Sequence, residues 1–246
     1  MKIPAIEGMI RRRVLLNYRI DPSVASKILA DPSPFKLKLV DGDAIAGICL
    51  IRLEQIRPKG LPIFMGISSE NSAHRIAVEW EKDDGGVCEG VFVPRRDTDS
   101  LLNSLAGGRV FPGVHHHSDF SVEDGDGEIS MQVKAKDFEN PLVAFEASET
   151  EVFPESSVFK SLQASSEFFE AGCIGYSSRP HSSKLDGLTL NASKWQVSPL
   201  TVSTLASAYF DDRSIFPADS IEFDHALLMR DIPHEWHSEP QIDLSE

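Results

Sequence analysis

Cysteine, basic side chains and long apolar runs are all scarce in this sequence. Its three cysteines, Cys49, Cys88 and Cys173, have no CxxC spacing and leave one unpaired, which favours a reducing cytoplasm over a disulfide framework. No stretch of about 18 apolar residues exists, so no transmembrane helix is predicted. The N-terminus, MKIPAIEGMIRRR, lacks the continuous apolar segment of a signal peptide. We therefore expect a soluble, cytoplasmic protein with no membrane partner.

The charge balance is strongly acidic. Thirty-eight acidic side chains against 24 basic ones give a net charge of −14, which disfavours nucleic acid as a partner. The one basic cluster, Arg11-Arg12-Arg13, precedes the apolar Val14-Leu15-Leu16 and is interpreted as a solvated edge or an anion contact. An apolar fraction of 41% predicts a substantial core. We expect one domain over residues 1–246, with an acidic tail after about residue 237 that frays.

Turn signals between apolar segments predict three β-hairpins. Glycine beside aspartate supplies the positive φ that a tight turn needs. The turns are Asp41-Gly42-Asp43, Asp84-Gly85-Gly86 and Gly125-Asp126-Gly127. Three consecutive hairpins predict a large antiparallel sheet system, which is mainly β.

Short helices are predicted between the strands. One has Asp21 as N-cap and Pro22 at its first position, one runs from Asp97 or Asp99 to Gly107, and one ends at Gly172. They do not alternate regularly with strands, so a Rossmann arrangement is not expected. The Ser-, Pro- and Gly-rich segment 175–195 is predicted to be a surface loop.

Three consecutive histidines, in RVFPGVHHHSDF, are the most unusual feature of the sequence. On a strand, His115 and His117 share one face, Asp119 continues it, and His116 points the other way. His115 and His117 with Asp119 or Glu70 form one hypothetical divalent-metal site, although no HExxH or Cys/His ligand set is present. The alternative is a polar run on a partly exposed strand.

Two further segments carry candidate ligand-binding groups. In GISSENSAHRIAVEW, Glu70 would have a raised pKa if it lay in a pocket, with Asn71 and Arg75 nearby. The pattern alone favours the alternative, in which Glu70 and Asn71 are turn residues that enter the strand. In RLEQIRPKGLP, Arg57 could hold a carboxylate, or could end a solvated strand. No GxSxG, P-loop or GxGxxG pattern is present.

Several stretches together resemble the family allied to acetoacetate decarboxylase. They are YRIDPSVASKIL, DGDAIAGICLIRLEQIRPKGLP, SSENSAHRIAV and FDHALLMRDIPHEW, and the resemblance extends from about Tyr18 to Trp236. It implies an antiparallel, barrel-like α+β fold with a few short helices around a small pocket. Self-association as a homo-oligomer is also implied.

The resemblance also identifies the positions of the family's reactive residues. In acetoacetate decarboxylase, a glycine–arginine pair precedes, by about seven residues, two lysines, one of which forms a Schiff base. Here the pair is Gly108-Arg109, and the count leads to His116 and His117, while Glu70 matches the assisting glutamate. No lysine lies between Lys82 and Lys134, so imine chemistry is not expected.

The leading hypothesis is a pocket for a small carbonyl- or carboxylate-bearing molecule, with no cofactor and no resident metal. Glu70 and His116 would transfer protons, with His117 beside them. Arg57 or Arg75 would hold an anionic group, and Asn71 and His115 would contact the ligand. A non-catalytic binding or interaction module and a histidine-based metal site remain as alternatives, and whether the protein is an enzyme is left open.

Overall fold

The computed structural model describes residues 5–29, 31–82, 85–100, 113–178 and 182–244. Thirteen strands dominate it, and they pair into one sheet. In chain order they are β1 (Ile6–Ile20), β2 (Lys36–Leu37), β3 (Leu39–Val40), β4 (Asp43–Pro58), β5 (Ile67–Glu81), β6 (Val87–Thr98), β7 (His115–Gly125), β8 (Glu128–Ala135), β9 (Val143–Glu149), β10 (Ile174–Ser178), β11 (Lys184–Ala192), β12 (Ser198–Ala206) and β13 (Ile221–Asp243). The predicted mainly β fold is confirmed.

The predicted turns join three antiparallel pairs of strands. Asp41, with φ of 49°, and Gly42, with φ of 97°, connect β3 to β4, and Asp126 and Gly127 connect β7 to β8 in the same way. β5 pairs antiparallel with β6 across the second turn. The sheet is nevertheless mixed, because β6 pairs parallel with both β7 and β10.

Two α-helices, α1 (Pro22–Ala25) and α2 (Leu162–Ala171), lie among the described residues. Asp21 caps α1 through the backbone N–H of Ser23, as the sequence predicts, and Ser161 caps α2 through that of Ala164. A 3₁₀ turn, Ser26–Ile28, follows α1, and another spans Ile63–Met65. Asp97 lies in β6, so it is not the cap of the helix predicted from Asp97 or Asp99 to Gly107. The rest of that predicted helix falls in residues 101–112, outside the described residues. With ten residues in α2, no described helix is long enough to cross a bilayer.

Two additional pairings make the sheet close on itself. β11 pairs with β13, and β5 with β6, so that β13, β1, β4, β5, β6, β10 and β11 form one closed ring. The same five strands β13, β1, β4, β5 and β6 close a second ring through β7, β8, β9 and β12. We call these five strands the shared wall, the first ring the small ring and the second the large ring.

Pairing of β11 with β13 changes two of the sequence-based expectations. Segment 175–195, predicted as a loop, contains most of β10 and all of β11. The acidic end of the chain, predicted to fray after about residue 237, continues in β13 to Asp243, which pairs with Lys184. Backbone hydrogen bonds from a distant strand stabilise both segments despite their polar composition, and local sequence does not reveal such pairings.

Side chains of the shared wall alternate between two apolar clusters. Leu15, Ile45 and Leu227 belong to the cluster inside the small ring, whereas Leu16, Ile48 and Leu228 belong to the larger cluster of the large ring. All six are at most 2% exposed. Because both faces are buried at these positions, β1, β4 and β13 have short continuous apolar runs there, over residues 14–16, 44–51 and 226–229.

Three histidines are buried with these cores. His74, His225 and His234 are 0%, 1% and 4% exposed. Burial lowers the pKa of His74 to about 3 and that of His234 to about 4, and it also lowers the pKa of His225. His74 packs against the Tyr209 ring at 4.5 Å, and neither of its ring nitrogens has a described hydrogen-bond partner.

We therefore expect the free energy of unfolding to decrease as the pH falls, already at pH values above those at which most carboxylates titrate. A histidine whose folded pKa is depressed stabilises the fold above about 6.5, and this contribution is lost as the pH falls toward the folded pKa. Urea unfolding at pH 7, 6 and 5 should show that the free energy of unfolding decreases. His74→Phe, which keeps an aromatic ring, should reduce the slope by about 1.4 kcal/mol per pH unit near pH 5. Equal slopes for this variant and the wild type would contradict the assignment of a neutral, buried His74.

Candidate functional site

A cavity of about 140 Å³ lies inside the small ring. Every strand of that ring contributes to its wall, and the C-terminal end of α2 covers part of it through Gly172 and Cys173. Apolar side chains from β4, β6 and β11 form much of the lining, namely Ile51, Leu53, Val91, Val93, Leu188 and Leu190. A small, partly apolar space of this kind is typical of small-molecule sites.

Three arginines line this cavity from three different strands of the shared wall. Arg13 comes from β1, Arg75 from β5 and Arg96 from β6. Burial lowers the pKa of Arg75 and of Arg96 to about 10, so both remain charged at neutral pH. The cavity is therefore strongly cationic.

The contacts of the three guanidinium groups are with neutral partners. Nε of Arg13 donates to Cys49 Sγ at 3.2 Å, and the Arg13 guanidinium lies 5.5 Å from the Trp195 ring centroid. Nη2 of Arg75 donates to Asn17 Oδ1 at 2.6 Å, and its guanidinium lies 4.5 Å from the Phe169 ring.

Nε of Arg96 similarly donates to a neutral acceptor, Ser177 Oγ, at 3.1 Å. Among the described parts of the chain, none of the three arginines forms an ion pair with a carboxylate. Asp97, the one acidic residue among the described lining residues, is instead held by Arg95 at 2.8 Å and by Ser118 at 2.9 Å.

Asn71, Arg75 and His115, three of the residues predicted to contact a ligand, line this cavity together. Nδ2 of Asn71 donates to Ser69 Oγ at 2.9 Å. Burial, with Arg96 adding to the effect, lowers the pKa of His115 to about 4, so its imidazole is neutral at pH 7.

The other predicted site residues lie elsewhere. Glu70 faces the large ring, where both of its carboxylate oxygens accept from Arg12 Nη2 at 2.9 and 2.8 Å. Burial raises the pKa of Glu70, as the sequence predicts for a pocket residue, while Arg12 opposes the shift. His116 is exposed and His117 half-buried, and neither lines the cavity.

Arg57, the remaining predicted anion ligand, is part of a separate cleft with Glu7 and His234. Its Nη2 pairs with Glu7 Oε1 at 2.8 Å, and its other nitrogens donate to the carbonyl oxygens of Gln55 and Leu61. The Arg57 guanidinium is therefore bound by groups of the protein itself.

The histidine-based metal site lacks a ligand set in the described part of the chain. No group of three or more His, Cys, Asp or Glu residues there lies close enough to hold a metal ion. His115 and His117 are separated from Glu70 by the alternation of faces, and Asp119 is exposed.

Sequence reasoning missed Arg13 and Arg96 as site residues. Arg13 belongs to a triplet that was interpreted as a solvated edge or an anion contact, and Arg96 follows Arg95 at the end of a strand. Period-2 alternation could have found Arg13, which is two residues from Leu15 in a strand that is buried on both faces. It could not have found Arg96, which is three residues from Val93, because the register of β5 and β6 shifts between His74 and Ile76.

Comparison with known proteins agrees with this architecture. The family DUF2071, described as an uncharacterized conserved protein, matches residues 8–227. No curated protein matches the sequence. An acetoacetate decarboxylase-like enzyme from Sphingomonas wittichii RW1 superimposes with a TM-score of 0.62 at 12% identity, over 99% of this chain and 94% of that one.

Two further solved structures have the same fold. The enduracididine biosynthesis enzyme MppR, complexed with pyruvate, gives a TM-score of 0.62 at 11% identity, over 100% of this chain and 91% of MppR. Acetoacetate decarboxylase from Legionella pneumophila gives 0.60 at 14% identity, over 96% and 87% of the two chains. With its match over residues 8–227 and this shared architecture, the chain belongs to the DUF2071 family and has the acetoacetate decarboxylase-like fold.

Proposed function

We propose that the protein binds a small carboxylate-bearing molecule in the cavity of the small ring. The observation that carries this proposal is the presence of Arg13, Arg75 and Arg96 around one cavity without a described ion-pair partner. Uncompensated buried charge is costly, and an anionic ligand would compensate it. The complex of MppR with pyruvate, a small carboxylate, supports the same class of ligand in a protein of this fold.

Arg75 supplies a second argument for an anion. Its side chain is largely buried, and its Nε has no hydrogen-bond partner within the described structure. A buried donor without an acceptor destabilises a protein by about 1–3 kcal/mol. A carboxylate bound beside Nε would accept from it and remove this penalty, since guanidinium and carboxylate geometries match.

We assign His115 the role of hydrogen-bond partner to a ligand carbonyl. Its position on the cavity wall and its neutral imidazole support this role. Proton transfer by Glu70 and His116 stays a prediction from the sequence. The ion pair of Glu70 with Arg12 and the exposure of His116 favour His115 over that pair. The cytoplasmic location and self-association also stay predictions.

Replacing Arg13 should test the anion site directly. Arg13→Met is expected to weaken the binding of succinate by about tenfold or more, because it removes a charged donor from the cavity while keeping apolar volume. Calorimetry, with the fluorescence of Trp236 as a second readout, measures the effect. Arg11→Met is the matched control, since Arg11 lies on the same strand but pairs with Glu54 and Asp231 at the surface. Equal losses for the two variants would argue against the site.

The number of cavity cations predicts a preference for two negative charges. Succinate and butyrate have the same chain length, but only succinate offers a second carboxylate to the arginines that a monoacid leaves unpaired. We expect succinate to bind at least about tenfold more tightly at pH 7 and low salt. Equal affinities would mean that only one guanidinium contacts the ligand.

Imine formation is not expected in this cavity. None of the described lysines lines it, and the sequence has no lysine between Lys82 and Lys134. Incubation with pyruvate and borohydride should therefore leave the mass of the intact protein unchanged. An adduct on one lysine in clear excess of the level that free lysine shows in parallel would contradict this prediction.

A further inference from the structure

A chain of hydrogen bonds leads from the cavity arginine Arg75 into the protein interior. Arg75 Nη2 donates to Asn17 Oδ1 at 2.6 Å, and Asn17 Nδ2 lies 3.1 Å from His225 Nε2. His225 Nδ1 lies 2.6 Å from Asp224 Oδ2. The chain crosses the shared wall from β5 over β4 and β1 to β13, and its two inner members, Asn17 and His225, are 0% and 1% exposed.

Gly47 makes the contact between Arg75 and Asn17 possible. In the sheet register Gly47 lies directly between them, paired with Asn17 on one side and with Arg75 on the other. A Cβ atom at this position would lie 2.6 Å from the Leu16 carbonyl oxygen and 3.2 Å from Asn17 Oδ1. The missing side chain therefore opens the path by which the guanidinium reaches the amide.

The donors and acceptors in this chain permit only one arrangement of protons. A guanidinium can only donate, so the atom of Asn17 that faces Arg75 is the amide oxygen, and the NH₂ group faces His225. Nε2 of His225 must then accept, which leaves the imidazole neutral with its proton on Nδ1, directed at Asp224. A bulge that leaves Asp224 outside the register of β1 and β13 brings this carboxylate beside its neighbouring ring.

Other elements packed against His225 are compatible with this arrangement. Ser165 Oγ, from α2, lies 2.7 Å from Nε2, and the rings of Phe153, Phe159 and Phe169 surround the imidazole. Ser157 Oγ and the Val158 N–H donate to Asp224, and the Arg19 guanidinium lies 4.0 Å from this carboxylate.

The order Ser165–His225–Asp224 matches that of a nucleophile, its base and an orienting acid. Ser165, however, is 0% exposed, and the ring is enclosed by phenylalanines, so no substrate reaches this hydroxyl. The open end of the network is Arg75, at the cavity.

We infer that Asn17 and His225 are positioning residues, which hold the Arg75 guanidinium in its binding orientation as long as His225 is neutral. Protonation of Nε2 would direct an N–H at the Asn17 NH₂ group. This proton has two possible acceptors, Ser165 Oγ at 2.7 Å and, after the amide turns over, Asn17 Oδ1. Turning the amide over would present its NH₂ to Arg75 and remove the acceptor that Arg75 now has. Ligand affinity should therefore decline when His225 is protonated.

The inference rests on the proposed function only where it concerns ligand affinity, so the test has two readouts. The first is the binding of succinate by calorimetry at pH 7. Asn17→Ala is expected to weaken binding by about tenfold or more, because Arg75 loses its charge-assisted hydrogen bond. Ser165→Ala is the matched control: it also removes a partner of His225 Nε2 but leaves the path to Arg75 intact, and should change affinity by less than about twofold.

The second readout is ligand-independent nitrogen NMR of the histidine rings. The wild type and Ser165→Ala should show His225 as the neutral Nδ1–H tautomer at pH 7. Asn17→Asp keeps an acceptor for Arg75 but places a carboxylate beside Nε2, and should raise the His225 pKa. If Asn17→Ala does not fold, the titration of His225 in Asn17→Asp still tests the contact between Asn17 and His225.

Each outcome bears on one of the two proposals. A wild-type His225 protonated on Nε2 at pH 7, an unchanged His225 titration in Asn17→Asp, or unchanged succinate affinity in folded Asn17→Ala would each overturn the positioning role. If the wild type fails to bind succinate while His225 has the expected tautomer and Asn17→Asp shifts its titration, the proposed function fails and the hydrogen-bond chain stands.

Discussion

The structure depends on strands that have a protein interior on both sides. In the shared wall, alternation of side chains divides one strand between two rings, so consecutive residues experience different surroundings. The arginine triplet shows this most clearly. Arg11 pairs with surface carboxylates, Arg12 forms a buried ion pair with Glu70 in the large ring, and Arg13 enters the cavity of the small ring.

Charge is distributed between the two rings in different ways. In the large ring, Arg12 is matched by Glu70 and Asp124, and Arg95 by Asp97 and Asp137, which makes these groups internal supports. In the small ring, the guanidinium groups have hydroxyl, thiol, amide and aromatic neighbours instead. A protein of net charge −14 thus concentrates positive charge in one enclosed space. The overall field repels diffusing anions, whereas the local field of the three guanidinium groups attracts them.

Local chemistry allowed much of the fold to be predicted from the sequence. The three hairpin turns and the cap at Asp21 depend on neighbouring residues and were predicted correctly. Pairings between distant strands were not predictable, because a ladder of backbone hydrogen bonds carries no side-chain signature. Because β11 pairs with β13, the expected loop and the expected frayed tail are both strands. The parallel pairing of β6 with β7 and β10 was not predicted for the same reason, since it also joins distant segments of the chain.

The candidate site was predictable in part for a related reason. Asn71, Arg75 and His115 were identified from their segment and line the cavity, while alternation turns Glu70 and His116 to other surfaces. Moving the alignment of a strand by one residue moves every side chain to the opposite face. An alignment with an uncertainty of one residue therefore cannot tell which side chain faces the pocket. Arg13 and Arg96 were missed because they line the same cavity only when the strands close into the small ring. That closure brings β1 and β6 together around the cavity.

A wall with two independent faces also has a consequence for the divergence of sequences. Substitutions at Arg13, Arg75 or His115 would alter what the small ring holds without repacking Leu16, Ile48 or Leu228 on the reverse side. The side chains that line this cavity can therefore change while the larger apolar interior preserves the architecture. Solved structures that are only 11–14% identical to the chain nevertheless share its fold.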